Sequence, residues 1–218
     1  MAISRPIFEY WNARVSAFGR RAALSLRHSD DEYQAVTDAH KRETFPHLKR
    51  ALRGTERLVL DFGCGPGRFT GDLAKAVAGR AIGLDPMEGF LKLAPRGGDV
   101  AYVRAASDMM PLPDACIGVV WIYLVLGGID GGALDAIAPE ILRVLTDGGL
   151  LFIAEETARD RSQRRLYTAD GGPDQDAYWF VRTVDDYKRI FARAPLTEVH
   201  TYRDVDHHVS VMTGKKAA

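Results

Sequence analysis

The sequence predicts an α/β domain of the doubly wound kind, with its ligand lying across the carboxyl ends of a parallel sheet. Three observations predict it. The apolar run Leu58–Leu60 ends in Asp61 and passes at once into Gly63, Gly65 and Gly67, which reads as a buried strand entering a tight turn. The segment Phe69–Val77 then puts Leu73 and Val77 on one helical face, so strand, glycine turn and helix follow one another. The pattern recurs: Ala81-Ile-Gly-Leu-Asp85 is a second short apolar run ending in an acid, 24 residues after Asp61. Two more buried-strand runs follow at Ile117–Tyr123 and Leu150–Ala154.

The glycine spacing narrows the ligand. A dinucleotide loop needs its third glycine three positions after the second, for close helix–strand packing beside the pyrophosphate. That position is Arg68, and the third glycine comes one residue early, at Gly67. This disfavours a nicotinamide oxidoreductase, and no phosphate loop ending in Gly-Lys-Ser/Thr occurs either. An acid about 20 residues past such a loop sits at the end of the second strand, where it accepts hydrogen bonds from ribose hydroxyls. Asp85 also has the composition of a helix N-cap, and the two roles are compatible.

The stretch Asp61-x-Gly63-x-Gly65-x-Gly67 resembles the first motif of class I S-adenosylmethionine-dependent methyltransferases, and Asp85-Pro86-Met87 resembles their second. The likeness extends over residues 55 to 156 and includes Arg143-Val-Leu-Thr-Asp-Gly-Gly-Leu150 before the fifth strand. It implies a single-domain, seven-stranded, mostly parallel sheet of order 3-2-1-4-5-7-6, its last strand antiparallel, with helices on both faces. It further implies that the loop of Asp61, Gly63, Cys64, Gly65 and Gly67 passes under the methionine part of the cofactor. Asp85 and Pro86 would then meet the ribose and Met87 the adenine. Ala106-Ser-Asp-Met-Met-Pro-Leu-Pro-Asp114 resembles the adenine-side loop, but Ala106 stands where the family has its acid. Either Asp108 or Ser107 would then meet the adenine amino group, or backbone groups alone would; Met109 and, on the fourth strand, Ile122 are further cofactor-binding candidates. Gly127-Gly128 stands where many relatives carry a histidine, so that common base is missing.

The two ends resemble the family only in outline. Residues 1–52 read as a helical cap over the cofactor site and 53–218 as the core, with an insertion at 157–182 near the acceptor. Tyr10, Trp11 and Arg14 fall within one helical turn; Trp11 would cover the cofactor and Arg14 would meet its carboxylate in a charge-assisted pair. Ser29-Asp-Asp-Glu32 is a capping box, and Pro46 is expected to break or restart the helix that follows it. A second capping box, Thr183-Val-Asp-Asp186, opens a helix with Tyr187, Ile190 and Phe191 on one face. The tail reads as two strands, Thr197–Tyr202 and His208–Met212, with His207 and His208 on opposite faces.

Methyl transfer is in-line displacement at carbon, which a protein promotes chiefly by holding the partners in contact. A hydroxyl acceptor would need a base, for which His208 and Glu156 are the candidates. Arg14, Tyr123, Glu156, Tyr167, Trp179 and His208 are expected to line the acceptor site under a lid hinged at Gly171 and Gly172. The arginines at 159, 161, 164 and 165 read as a solvated face, with binding of an anionic substrate as the alternative. Lys+Arg and Asp+Glu both number 29, and a net charge of zero argues against nucleic acid as partner. No apolar run approaches the roughly 18 residues of a membrane span, no charged leader opens the chain, and Cys64 and Cys116 suit small buried hydrophobes. The reading is a cytoplasmic monomer or homodimer that methylates a small molecule, most readily at a hydroxyl oxygen, without a metal. A protein or RNA methyltransferase and a non-catalytic cofactor-binding partner are the alternatives.

Overall fold

The computed structural model describes residues 5–106, 108–166, 178–205 and 207–218. Five parallel strands make the centre of the sheet: β1 (Leu58–Phe62), β2 (Arg80–Asp85), β3 (Val100–Arg104), β4 (Ile117–Tyr123) and β5 (Leu145–Ala158), in the order β3-β2-β1-β4-β5. Past β5 the sheet forks. β9 (His207–Lys215) pairs antiparallel with Leu150–Glu156, and β8 (Thr197–Asp204) pairs with β9. At its far end β5 also pairs, through Thr157 and Ala158 alone, with β7 (Tyr178–Thr183), the partner of β6 (Gln163–Leu166). Setting that β6–β7 ribbon aside, the remaining seven strands carry the expected order 3-2-1-4-5-7-6 with the last strand antiparallel.

Strand alternation builds a core on each face. Val59, Val119, Trp121, Leu150 and Phe152 point toward α2 (Tyr33–Ala51) and α3 (Thr70–Ala76), where Trp121 stacks on Phe152 with ring centroids 4.4 Å apart. Leu60, Val120, Ile122, Leu151 and Ile153 point the other way, toward α5 (Gly131–Val144) and α6 (Val184–Ile190). Two short pieces complete the first half. α1 (Arg5–Phe18) runs on through a tight helical turn at Gly19–Ala23 and packs Trp11 and Val15 against Met87 and Phe90, the latter from α4 (Glu88–Leu93).

Three local expectations change. α2 begins at Tyr33, not at residue 30, because Glu32 turns back to accept from the Ser29 N–H (2.8 Å) and hydroxyl, which completes only half of a capping box. α2 also runs straight through Pro46: the buried stripe Tyr33, Thr37, His40, Thr44 and Leu48 holds the helix on the sheet on both sides of it. β5 starts at Leu145 rather than Leu150, with a register shift where Ile117 pairs Leu145 but Val119 pairs Leu150. The box at Thr183 forms as expected, the Asp186 N–H donating to Thr183 Oγ1 and the Thr183 N–H to the Asp186 carboxylate.

Candidate functional site

A cleft of about 960 Å3, counting its open mouth, lies at the carboxyl ends of β1, β2 and β4. Its floor is the glycine loop. The N–H groups of Gly63 and Cys64 both donate to the Leu84 carbonyl (2.8 and 3.0 Å), and that of Gly65 donates to the Asp85 carboxylate at 2.9 Å. Three successive amides thus wrap the end of β2 and leave the opposite side of the loop facing the cleft. Gly63 and Gly65 sit at φ +71° and +53°, a region side chains resist. At Gly63 a Cβ would also fall 2.5 Å from Val125. In front of Gly65 the nearest atom is Ala23 Cβ, 3.7 Å from where a Cβ would be, so the floor there is open to a ligand.

Asp85 closes the loop and faces the cleft. Its second oxygen accepts from the Met87 N–H at 2.8 Å, so each oxygen spends one bond on the backbone and keeps capacity for another. Burial raises its pKa to about 6, against the two N–H donors that favour the anion. Asp61 is pushed further, to about 7, by burial and by the Asp85 charge, although Thr70 Oγ1 donates to it at 2.6 Å. Leu84, Pro86, Met87, Phe90 and Trp11 supply the apolar wall at the β2 end, whereas Arg68, Phe69 and Tyr123 line the β1–β4 end. One end thus suits a flat apolar ring and the other an anionic group, with a carboxylate between. The residues present fit S-adenosylmethionine on this account.

A second pocket shares Trp11, Ala23, Arg68, Leu124 and Trp179 with the cleft and extends to Glu156, His40, Asp204 and His207. Here Glu156 Oε1 lies 3.3 Å from His207 Nδ1 and His40 Nε2 lies 3.1 Å from Asp204. Trp179, from β7, lines both hollows.

Of the sequence-predicted residues, Trp11, Asp61, Gly63, Cys64, Gly65, Asp85, Pro86 and Met87 gather at the cleft. Others do not. Arg14 lines the second pocket rather than the cleft; it is 2% exposed, and its guanidinium donates to the Ala22 and Leu24 carbonyls and to Tyr10 Oη, which ties α1 to the turn after it. The cation at the cleft is Arg68 instead. Gly67 lies on the far side of the loop, where a Cβ would collide with Tyr102 at 2.4 Å, so its task is packing. Ile122 points into the α5 face of the core because alternation gives the cleft to its neighbour Tyr123. Met109 is 79% exposed, and Asp108 is half-buried and lines neither hollow. Ser107, Tyr167, Gly171 and Gly172 lie outside the described residues. Glu156 faces the second pocket, and the histidine beside it is His207; His208 is turned away, directly across from Arg203. Burial keeps the Cys64 thiol well above its ordinary range, as suits a packed hydrophobe.

Two side chains that shape the cleft wall were assigned no role from sequence, although Glu155 is visible there as an acid at the ligand-side end of the fifth strand. Glu155, fully buried, accepts from the backbone N–H groups of Val125, Leu126 and Gly127 at 2.6, 2.7 and 3.3 Å. Arg182 of β7 donates to the Leu126 and Ile129 carbonyls at 2.7 and 2.6 Å. Between them they hold the turn after β4, which walls the cleft, from both its donor and its acceptor sides. Trp179 lies over that turn: a Cβ on Gly127 would fall 2.1 Å from the indole. No side chain has room at Gly127.

Among the described residues no helix is long and apolar enough to cross a membrane, and no group of three or more His, Cys, Asp and Glu is placed to hold a metal ion.

Comparison with known proteins agrees with the geometry. Residues 60–153 match the methyltransferase domain family. A protein of Encephalitozoon cuniculi, whose name goes no further than a methyltransferase assignment, is 28% identical over 81% of this chain and 86% of its own length. Trans-aconitate 2-methyltransferase of Azoarcus is 27% identical over 81% of this chain and 66% of its own. Among solved structures, a SAM-dependent methyltransferase of Leishmania major shares the fold with a TM-score of 0.71 at 20% identity, covering 96% of this chain and 82% of that one. With its glycine loop and its acid-ended second strand on this one fold, the chain carries a methyltransferase domain over residues 60–153 and is similar in fold to solved S-adenosylmethionine-dependent methyltransferases.

Proposed function

We propose that the chain methylates a small-molecule acceptor at a hydroxyl oxygen, in the pocket that adjoins the cofactor cleft. The observation that carries this is the Glu156–His207 pair, set in a hollow that shares walls with the cleft. When bound, the cofactor supplies a methyl group on a positively charged sulfur, open to displacement by an oxygen lone pair.

On this reading Gly63, Cys64 and Gly65 carry the methionine part over the open side of their loop, and Asp85 accepts from the ribose. Met87 and Trp11 flank the adenine. Arg68 takes the methionine carboxylate, the task the sequence assigned to Arg14, since its guanidinium is the cation lining that end. In the adjoining pocket the indoles of Trp11 and Trp179 hold the acceptor and exclude water, and the Glu156–His207 pair takes up the hydroxyl proton as the oxygen–carbon bond forms. The small-molecule reading is supported by the Azoarcus relative, which is itself named for a small molecule, trans-aconitate. A chain of zero net charge also lacks the pull that would gather nucleic acid.

Incubation with isotopically labelled methyl donor and a metabolite pool, read by mass spectrometry, tests the reading. A labelled small molecule is expected. His207→Ala and Glu156→Gln are expected to lower turnover by about 100- to 10,000-fold, the usual worth of general-base help, and to leave S-adenosylhomocysteine binding intact. Label appearing only in protein or RNA, or full turnover in both variants, would refute it.

A further inference from the structure

Arg68 is held by more than its own loop. Its Nη2 lies 2.7 Å from His40 Nδ1, its Nε 3.2 Å from Thr37 Oγ1 and its Nη1 3.2 Å from the Ala23 carbonyl. A guanidinium has no acceptor, so it donates at each contact and His40 Nδ1 must accept. That assigns the imidazole: neutral, with its proton on Nε2 and directed at Asp204 Oδ1, 3.1 Å away. Asp204 on β8, His40 on α2 and Arg68 on the loop after β1 thus form one chain of hydrogen bonds, leading from the acceptor pocket to the cofactor cleft.

We propose that His40 is a positioning residue, which in its neutral form fixes the Arg68 guanidinium where the cofactor's carboxylate docks. The proposal rests on the reading of Arg68 given above. It goes beyond that reading in making the docking depend on the protonation of a residue that never touches the ligand. Protonated, His40 loses its acceptor lone pair and turns an N–H toward a cation, so the chain breaks at the Arg68 end. The other groups facing the imidazole are Tyr123 of β4, with ring centroids 5.3 Å apart, His28 before α2, and the Glu156–His207 pair across the pocket. Burial opposes protonation, Arg68 and His28 add to that, and Asp204 favours it; the balance lies below the ordinary value of 6.5.

Two probes separate positioning from mere folding. S-adenosylhomocysteine carries the carboxylate; 5′-methylthioadenosine keeps the adenosine and sulfur but lacks the whole amino-acid end. In calorimetry, Arg68→Ala and His40→Ala are each expected to weaken S-adenosylhomocysteine by about tenfold or more, the worth of a charge-assisted hydrogen bond, and to leave methylthioadenosine unchanged. In the unaltered protein, the preference for S-adenosylhomocysteine should fall as the pH drops below 6.5, and His40→Ala should abolish that fall.

Loss in Arg68→Ala with none in His40→Ala overturns the relay and spares the assignment of Arg68. No loss in Arg68→Ala overturns both. Equal weakening of the two probes by His40→Ala makes His40 a folding residue and overturns the relay. Should His40→Ala not fold, Asp204→Asn serves, because removing the carboxylate that favours protonation must move the fall to lower pH; a fall that stays in place overturns the proposal.

Discussion

Gly127 and Gly128 are adjacent and chemically identical, yet a methyl group added to each should have opposite effects. Neither sits at positive φ, so alanine meets no backbone strain at either position. At Gly127 the new Cβ would lie 2.1 Å from Trp179 Cε2 and 2.4 Å from Cζ2, the middle of a bulky ring system that is 6% exposed. The ring has little freedom to retreat, because Arg182 on the same strand is bonded to the Leu126 and Ile129 carbonyls. At Gly128 the nearest indole atom would be 3.5 Å away, an ordinary contact. Overpacking of the first kind costs about 1–3 kcal/mol, which in a chain of this length lowers the Tm by roughly 2–12 °C. Gly128→Ala only restricts the unfolded chain, which stabilises by about 0.4–1 kcal/mol and raises the Tm by up to roughly 4 °C. Thermal unfolding followed by near-ultraviolet circular dichroism reads both the midpoint and the indole environment. Gly127→Ala should change the aromatic spectrum and depress methyl transfer as well, since Trp179 walls both hollows. Equal midpoints for the two variants would refute this account of why glycine stands there.

Two further outcomes follow from the buried carboxylates. Asp85→Ala should weaken S-adenosylhomocysteine by about 1.5–3 kcal/mol, and Asp108→Ala by less, because Asp108 lines neither hollow; calorimetry giving the reverse order would show the adenine loop misplaced. Glu155 has its pKa raised by burial from 4.5 to about 7, so the folded state binds its proton more tightly than the unfolded chain. Its contribution is then fully present below pH 4.5 and is lost as the pH climbs through about 7, by up to roughly 3 kcal/mol. Asp61 and Asp85 act in the same direction. Denaturant titrations at pH 5.5 and 8 should show stability falling with pH, with a visibly shallower fall in Glu155→Gln; an identical slope would refute the assignment.

What the sequence made legible follows from how local each signal was. The path from Asp61 through the glycines to Asp85 is written within 25 residues, and the N–H groups of Gly63, Cys64, Gly65 and Gly67 all donate to β2 or to the loop itself. That Arg68 rather than Arg14 lines the cleft was not legible. Arg14 and Arg68 are equally cationic on paper, but Arg14 is consumed by carbonyls eight and ten residues along its own chain, a fact of turn geometry with no sequence pattern. His207 and His208 differ by one residue, and in a strand one residue is a change of face; the register came from pairing with Glu156, about 50 positions earlier. Glu155 was visible as an acid ending an apolar strand, but its partners are backbone amides, which no side-chain pattern announces. The helix through Pro46 shows the converse: a strong local breaker yields to a stripe of five buried side chains.

The fork at the end of β5 separates two demands within one strand. Leu150–Glu156 are committed to the antiparallel partner that completes the sheet, whereas only Thr157 and Ala158 receive the ribbon that brings Trp179 and Arg182 to the cleft. A ribbon anchored by two residue pairs can be lengthened, shortened or exchanged without shifting the register of any strand that carries the glycine loop or Asp85. On the proposed reading, the ribbon side of the acceptor pocket can therefore vary at the β5 end while the glycine loop and Asp85 stay fixed at the β1–β2 end. For engineering, the first graft to attempt on this scaffold is a ribbon exchange between Thr157 and Thr183 that keeps Trp179 and Arg182 in place.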